Sequence, residues 1–227
     1  QETIDEFREI RRNPNHLEWA YFDISRINFS NDINQVLSEA ELVILAVPSP
    51  YVKDVLAEIT VDMSQKKVIS AVKGMIPGDN ILVTDYIHQH FHVPEANLGM
   101  ITGPCHAEEI ALERLSYLTI GCKDTANATE WKKLFDTPYV RTTPSNDMKG
   151  LEYASVMKNI YAIAAGMCTS LRYGDNFQAV LLTNAMHEIV RFTKAVSDIP
   201  RDITDSGYLG DVLVTAYSNF SRNRQFG

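Results

Sequence analysis

Four short apolar runs, rich in β-branched residues, stand out in the first two thirds of the chain. The first, LVILAV, is apolar at every position and is bounded by Glu41 and Pro48. Such a run is typical of a strand that is buried on both faces of a parallel sheet. The pattern predicts strands at residues 42–47, 68–72, 98–102 and 117–121.

Segments with helical periodicity separate these runs. They cover residues 32–38, 50–59, 79–91 and 125–135, and another helical pattern opens the chain at residues 2–11. Alternating strands and helices indicate right-handed crossover units. Residues 1–144 are therefore predicted to form an α/β domain with a doubly wound, mostly parallel sheet of the Rossmann type.

After Pro144 only helical patterns remain. They cover residues 147–171, 176–197 and 210–220, and the first is apolar on nearly every face. Glycine, asparagine and proline interrupt the pattern near residues 173–176 and 199–200, and Asp175 or Asn176 is a candidate N-cap. Residues 145–227 are predicted to form an all-helical second domain.

Composition narrows the functional classes. Of the 227 residues, 45% are hydrophobic and 22% are charged, as is typical of globular proteins, and no apolar run is long enough to span a bilayer. A net charge of −8 argues against a general nucleic-acid-binding surface but allows a local basic pocket. The three widely spaced cysteines fit neither a disulfide framework nor a zinc site, so we expect a reducing, cytoplasmic setting and no bound metal.

Three segments follow predicted strands and therefore lie where parallel sheets bind ligands: PSP at residues 48–50, KG at 73–74 and GP at 103–104. At Lys73 an ammonium group can pair with an anionic or carbonyl ligand, although a lysine in a surface turn has the same sequence appearance. His106 follows the GP turn and precedes the helical pattern AEEIALERL. It is a candidate acid or base, and equally a capping or packing residue.

The segment GLEYASVMKNIYAIAAG, residues 150–166, contains the most informative residue. A helix that is apolar on nearly every face must be buried, and burial lowers the pKa of a lysine toward neutrality. Lys158 is therefore a candidate for proton transfer. The alternative is that its long stem carries the ammonium group to the surface.

Polar residues near the end of the chain add two further candidates. Asp211 is either a helix N-cap or, if it lies near Lys158, a carboxylate that orients the ammonium group. The segment SRNR, residues 221–224, offers arginine donors suited to phosphate or carboxylate oxygens, or is a solvated helix end.

Taken in order, the motifs LVILAVPS, SAVKGM, GPCHAEE, EYASVMKNIYAIAAGM, YGDN and GDVLVTAYSNFSRNRQFG extend through nearly the whole chain. In this combination the chain resembles the NAD(P)-dependent glycerol-3-phosphate dehydrogenases, and the bacterial branch in particular. Several motifs in a fixed order are far more specific than any one of them.

The resemblance implies a role for residues of each motif. Lys158 would transfer the proton, assisted by Lys73 and Asp211, and the SRN segment would hold the substrate phosphate. The implied substrate-binding residues are Lys73, Gly103, Cys105, Lys158, Asn159, Asp211, Ser221, Arg222 and Asn223. The implied cofactor-binding residues are Lys73, Ala107, Arg222, Val47 and Pro48.

The chain departs from the family pattern in two respects. Cys105 stands where the family commonly has serine or threonine, so that a thiol replaces a hydroxyl donor. The dinucleotide fingerprint GxGxxG does not occur in the sequence, and we expect it upstream of Gln1, with further helices downstream of Gly227. The predicted Rossmann sheet is thus N-terminally truncated in this chain.

The resemblance implies reversible, NAD(P)H-dependent reduction of dihydroxyacetone phosphate to sn-glycerol 3-phosphate, which supplies phospholipid synthesis. The expected cofactor is NAD or NADP, the expected partner a phosphorylated triose, and the expected assembly a homodimer, with no nucleic acid and no membrane insertion. The alternatives are a related hydroxy acid or hydroxyacyl dehydrogenase and, for the chain as given, a non-catalytic binding or dimerising module.

Overall fold

A computed structural model describes residues 2–227 as a five-stranded sheet with helices on both faces, followed by a helical region. The strands are β1 (Leu42–Leu45), β2 (Lys67–Ser70), β3 (Leu98–Thr102), β4 (Ser116–Cys122) and β5 (Val140–Ser145). The α-helices are α1 (Glu2–Ile10), α2 (Ile33–Glu39), α3 (Ser49–Ala57), α4 (Val83–Phe91), α5 (Ala107–Ala111), α6 (Thr125–Phe135), α7 (Met148–Ser170), α8 (Gly174–Val196), α9 (Asp211–Tyr217) and α10 (Arg222–Phe226).

The strands follow one another across the sheet in the order β1-β2-β3-β4-β5. All neighbours are parallel except β3 and β4, which are antiparallel. This confirms the predicted fold class of a mostly parallel sheet with an all-helical continuation. The expectation of a crossover between β3 and β4 was wrong: the chain reverses direction through the short helix α5, and the Tyr117 amide donates to the carbonyl of Pro104.

The sequence pattern missed strand β5. Val140 and Thr142 are buried, whereas Arg141 and Thr143 between and beyond them are exposed, as expected of a half-buried strand. Pro144 argued against a strand, because proline cannot donate to the ladder. It is accommodated because β5 is an edge strand whose only strand partner among the described residues is β4.

Strand β1 is less buried than predicted. Ile44 is 48% exposed, and only Leu45 of its four residues is buried. The expectation of burial on both faces was wrong: Val43 and Leu45 pack against the hydrophobic cluster on one face, whereas the described residues leave the opposite face at Ile44 uncovered.

The predicted helices exist, with corrected ends. Helix α8 begins at Gly174 after Tyr173, without a side-chain cap, so the capping role of Asp175 or Asn176 was wrong. The pattern at 79–91 becomes helical only at Val83, and the pattern AEEIALERL forms only the five residues of α5. The pattern at 210–220 divides into α9 and a separate α10, preceded by a π-helical turn, Ser206–Gly210.

Helix α7 is the axis of the helical region. Asp147 caps it by accepting a hydrogen bond from the Gly150 amide at 3.0 Å. Its buried residues Met148, Leu151 and Ala154 share one hydrophobic cluster with β2 and β3 of the sheet and with α8 and α9. A second cluster, which includes Ile69 and Trp131, fills the opposite face of the sheet beneath α6. The sheet and the helical region therefore share a core. None of the helices in residues 2–227 combines the length and apolarity of a membrane span.

Gly166 allows α10 to pack directly on α7. A Cβ atom at this position would overlap the carbonyl oxygen of Arg224. We expect Gly166→Ala to displace α10 and to lower the free energy of unfolding by about 1–3 kcal/mol, measured by urea denaturation.

Gly210→Ala is the matched control. It also adds one methyl group at a helical position, but its Cβ would meet Ser206 Cβ at 3.5 Å, an ordinary contact. Equal stability of the two variants would contradict the close approach of α10 to α7.

Candidate active site

Lys158 and Asp211 form a buried ion pair at the centre of the site. Lys158 is 8% exposed and Asp211 is 2% exposed. Lys158 Nζ lies 2.5 Å from Asp211 Oδ1. The alternative that Lys158 extends to the surface was therefore wrong, because the α7 face that carries it packs against α9.

Asp211 also accepts a second hydrogen bond. The Thr102 hydroxyl, at the end of β3, donates to Asp211 Oδ2 at 2.5 Å. Asp211 is the first residue of α9, where the helix dipole favours a negative charge. Its carboxylate binds Lys158 and Thr102 rather than capping the helix, so the N-cap alternative was wrong.

Lys73 lies just beyond β2 and points toward the same centre. Its ammonium group donates to the carbonyl oxygen of Ile101. Burial, and then the positive charge of Lys158, lower the pKa of Lys73 to about 8, while Asp211 acts in the opposite direction. The side-chain amide of Asn159 donates to the backbone carbonyl of Lys73 at 3.1 Å. Lys73 is therefore part of the site rather than a lysine in a surface turn.

The turn after β3 adds a backbone bend and a thiol. Gly103 has φ +122°, and a Cβ atom there would lie 2.5 Å from the carbonyl oxygen of Tyr117. The Cys105 thiol donates to the Gly103 carbonyl oxygen at 3.2 Å. Burial, followed by the negative charge of Asp211, raises the pKa of Cys105. The thiol thus remains protonated at neutral pH.

His106 precedes α5 but does not cap it. Its Nε2 atom is buried without a hydrogen-bond partner among the described residues. Its ring centroid lies 5.8 Å from that of Phe220. His106 therefore packs against Phe220, the residue before the SRNR segment, in agreement with the packing alternative.

The SRNR segment forms the beginning of α10. The Ser221 side chain caps this helix by accepting a hydrogen bond from the Arg224 amide at 3.3 Å. Arg222 is exposed and Asn223 is partly buried. Hydrogen bonds join Lys158 to Asp211 and Asn159 to Lys73, and the two pairs lie side by side because Lys158 and Asn159 are neighbours on α7. Among the described residues, the SRNR segment packs on α7 beside Gly166, and Phe220, which precedes it, contacts His106.

The predicted cofactor-binding residues lie along the same edge of the sheet. Val47 is partly buried, and Pro48 and Ala107 are exposed. The loops after β1 and β2 approach so closely that a Cβ atom on Gly74 would lie 2.5 Å from Ser49 Cβ. The absence of a side chain at Gly74 leaves backbone open beside Lys73, which suits the reacting end of a dinucleotide, whereas the glycine-rich turn that would hold its pyrophosphate is not in the sequence.

The sequence interpretation did not single out Thr102, Ile101 or Glu152. Thr102 is the last residue of β3, next to the recognised GP turn, and that position was the available signal. Glu152 is buried in α7 and accepts hydrogen bonds from Thr84. Glu152, like Lys158, is a charged residue in an otherwise apolar helix, and this pattern could have identified it.

Replacing Thr102 with valine removes the donor to Asp211 Oδ2 while keeping the side-chain shape. We expect a loss of about 1.5–3 kcal/mol in the free energy of unfolding at pH 7, as for a hydrogen bond to a buried charged group. Chemical denaturation measures it.

Thr142→Val provides the matched control, because the buried Thr142 hydroxyl on β5 interacts only weakly with Asp136, a partly exposed carboxylate that Lys132 already pairs with. This variant should lose much less stability than Thr102→Val. If both variants lose the same stability, the Thr102–Asp211 bond does not contribute as proposed.

Two family models match the chain. The model described as NAD-dependent glycerol-3-phosphate dehydrogenase N-terminus covers residues 1–128, and the model described as the C-terminus of the same enzyme covers residues 147–227.

Individual relatives agree. Glycerol-3-phosphate dehydrogenase [NAD(P)+] of Staphylococcus aureus strain JH9 is 30% identical over 230 residues, which cover 100% of this chain and 69% of that protein. The structure of Plasmodium falciparum glycerol-3-phosphate dehydrogenase is 27% identical, with a TM-score of 0.84 over 94% of this chain and 60% of that one. The structure of DsGPDH of Dunaliella salina shares the fold, with 24% identity and a TM-score of 0.89 over 99% of this chain and 39% of that one.

These findings confirm the predicted enzyme class and its cofactor, NAD or NADP. They also favour a glycerol-3-phosphate dehydrogenase over a dehydrogenase that acts on a hydroxy acid or a hydroxyacyl thioester. Both family models match a chain whose site contains a buried lysine–aspartate pair and a further lysine at the end of β2. The chain belongs to the NAD-dependent glycerol-3-phosphate dehydrogenase family.

Proposed function

We propose that this chain carries the reacting centre for NAD(P)H-dependent reduction of dihydroxyacetone phosphate to sn-glycerol 3-phosphate. The buried Lys158–Asp211 pair, with Lys73 electrostatically coupled to it, is the observation that carries the proposal. It brings a proton donor and a second cation to the sheet edge where ligands of α/β proteins bind.

Lys158 is the acid of this reaction. Its ammonium group gives a proton to the carbonyl oxygen of the substrate while a hydride adds to the carbonyl carbon. Lys158 is left as a neutral amine and regains a proton from solvent. In the oxidation direction the amine removes the hydroxyl proton. Asp211 acts on Lys158 by fixing the direction of its Nζ, and Thr102 fixes Asp211 in turn.

Lys73 polarises the carbonyl group. A fixed cation in a site shielded from water stabilises the negative charge that develops on oxygen. Asn159 holds the backbone of Lys73 through its carbonyl oxygen. Gly103 and Cys105 contribute to substrate binding from the turn after β3, where the Cys105 thiol, close to Lys73 and Lys158, offers a weaker donor than a hydroxyl.

Ser221, Arg222 and Asn223 hold the phosphate of the substrate. The exposed Arg222 can offer two parallel donors to phosphate oxygens, and the capped start of α10 places it. Binding of this remote group orients the reacting end, which lowers the entropic part of the barrier.

A bound reduced nicotinamide supplies the hydride. Val47, Pro48 and Ala107 offer small, accessible surfaces for its ring along the sheet edge, and Lys73 and Arg222 lie at the border between cofactor and substrate. In this proposal residues 1–144 form the cofactor-binding domain, and residues 145–227 form the substrate-binding and catalytic domain.

Three further parts of the proposal concern the setting of the enzyme. A homodimer is supported by exposed apolar residues on α8, which include Val180, Phe192 and Val196. A cytoplasmic location is supported by the free thiols of all three cysteines. A role in phospholipid synthesis follows from the product, glycerol phosphate.

Lys158→Ala should lower kcat by about 10²–10⁴-fold, because the proton donor is lost. Oxidation of NADH, and separately of NADPH, with dihydroxyacetone phosphate measures this loss. Lys53→Ala is the control, since Lys53 forms only an exposed ion pair with Asp79. Unchanged turnover in Lys158→Ala would refute the assignment. A folded wild-type protein that binds cofactor without turnover would instead favour a binding module.

The pKa of Lys73, about 8, predicts that activity declines at alkaline pH. We expect kcat/KM to fall above pH 8 by about tenfold per pH unit, because the neutral amine no longer polarises the carbonyl. In Lys73→Arg the guanidinium stays charged, so the residual activity should not fall in this range. An identical alkaline decline in both proteins would show that another group titrates.

A further inference from the structure

Glu152 is a buried carboxylate that the proposed mechanism does not use. It is 0% exposed and lies on α7, six residues before Lys158. Thr84 Oγ1 donates to Glu152 Oε2 at 2.5 Å, and the Thr84 amide donates to Oε1 at 3.3 Å. No lysine or arginine among residues 2–227 forms an ion pair with it.

The position of Glu152 makes it a cap for another helix. Helix α4 begins at Val83, and its N-cap residue is Leu82, whose side chain cannot accept a hydrogen bond. The first amides of a helix need an acceptor from elsewhere. Glu152 supplies that acceptor from α7, so the start of α4 is tied to the helix that carries Lys158.

Asn159 makes a second tie from the same face of α7. It follows Glu152 by seven residues, which is about 20° short of two helical turns and about 10 Å along the axis. Its amide binds the backbone carbonyl of Lys73. Two residues on one face of α7 thus hold the two ends of residues 73–84.

Residues 73–84 form a compact unit between the contacts that Asn159 and Glu152 make with its two ends. Met75 and Leu82 form an antiparallel bridge, and the Ile76 amide donates to the Ile81 carbonyl at 3.0 Å. A displacement at Thr84 is therefore transmitted to Lys73 rather than absorbed in a flexible loop.

We propose that Glu152 is a positioning residue that, together with Asn159, fixes residues 73–84 against α7 and so sets the position of the Lys73 ammonium relative to Lys158. This inference rests on the proposed role of Lys73 in polarising the substrate carbonyl. Glu152 would thus affect the catalytic rate through the position of Lys73, without touching the substrate.

Charge gives Glu152 an effect that a neutral cap would lack. Its carboxylate raises the pKa of Lys73, although less than the carboxylate of Asp211 does. Burial raises the pKa of Glu152 itself to about 7, opposed by the bonds from Thr84. The charged groups around it are Asp85 on α4, which pairs with Lys149 on α7 at 2.9 Å, and Lys73. Above pH 7 Glu152 therefore helps to keep Lys73 protonated.

Glu152→Gln tests the proposal, because the amide keeps the size of the side chain and removes its charge. We expect kcat to fall by about tenfold or more, with a smaller change in KM for dihydroxyacetone phosphate, since a small misplacement of a polarising group mainly affects the transition state. We also expect the alkaline limit of kcat/KM to move to lower pH.

Two substitutions of Thr84 complete the test. Thr84→Ser keeps both hydrogen bonds and should retain wild-type kinetics. Thr84→Val loses the hydroxyl donor and should show part of the loss in kcat. If Glu152→Gln does not fold, the difference between these two variants decides the question, and equal kinetics in both would overturn the proposal.

Tyr161→Phe is the structural control. It removes a 2.8 Å hydrogen bond between α7 and Glu188 of α8, away from residues 73–84, and should leave the pH profile unchanged. A Glu152→Gln protein that is less stable but has wild-type kcat and pH limit would show a purely structural role and overturn the inference. Failure of the proposed function is distinguishable, because the wild-type protein itself would then lack turnover or the limit near pH 8.

Discussion

The buried ion pair between Lys158 and Asp211 is the constraint on which the rest of the site depends. Removing two charges from water is costly, and the pair is stable only if geometry and further hydrogen bonds compensate. Thr102 provides one such bond from the sheet. The pair therefore links three elements, β3, α7 and α9, and the contact that fixes their relative positions also holds the proposed acid, Lys158.

Helix α7 transmits this constraint to its surroundings. One face presents Lys158 to α9, and another presents Glu152 and Asn159 to the loop between β2 and α4. Because the hydrophobic cluster around α7 includes residues of the sheet, Lys158 and the sheet edge that carries Lys73 have little freedom to move separately. A rigid arrangement of this kind reduces the reorganisation needed as the transition state forms.

Much of this architecture is visible in the residue pattern, and the parts that are not have physical reasons. Helix α7 and strand β3 were placed almost to the residue, because long helical periodicity and continuous apolar runs are strong local signals. Strand β5 was missed because its half-buried alternation is short and contains Pro144. The antiparallel direction of β4 depends on the turn after β3, which periodicity does not encode.

The site shows the same division. The sequence singled out Lys73, Lys158 and Asp211, since charged residues are conspicuous among apolar neighbours or at strand ends. It could not show the Lys158–Asp211 contact, which joins residues 53 positions apart in the chain. Thr102 and Glu152 escaped notice because their importance lies in which partner they meet. The roles assigned to these residues remain predictions.

Cys105 gives the site a chemical character of its own. Alkylating agents and oxidants attack the thiolate, and burial near Asp211 keeps this sulfur in the thiol form. A cysteine beside two lysines would ordinarily be a point of vulnerability to electrophiles. Here the carboxylate that binds Lys158 also raises the pKa of the neighbouring sulfur, so a soft, polarisable atom remains in the site at little risk of oxidative inactivation.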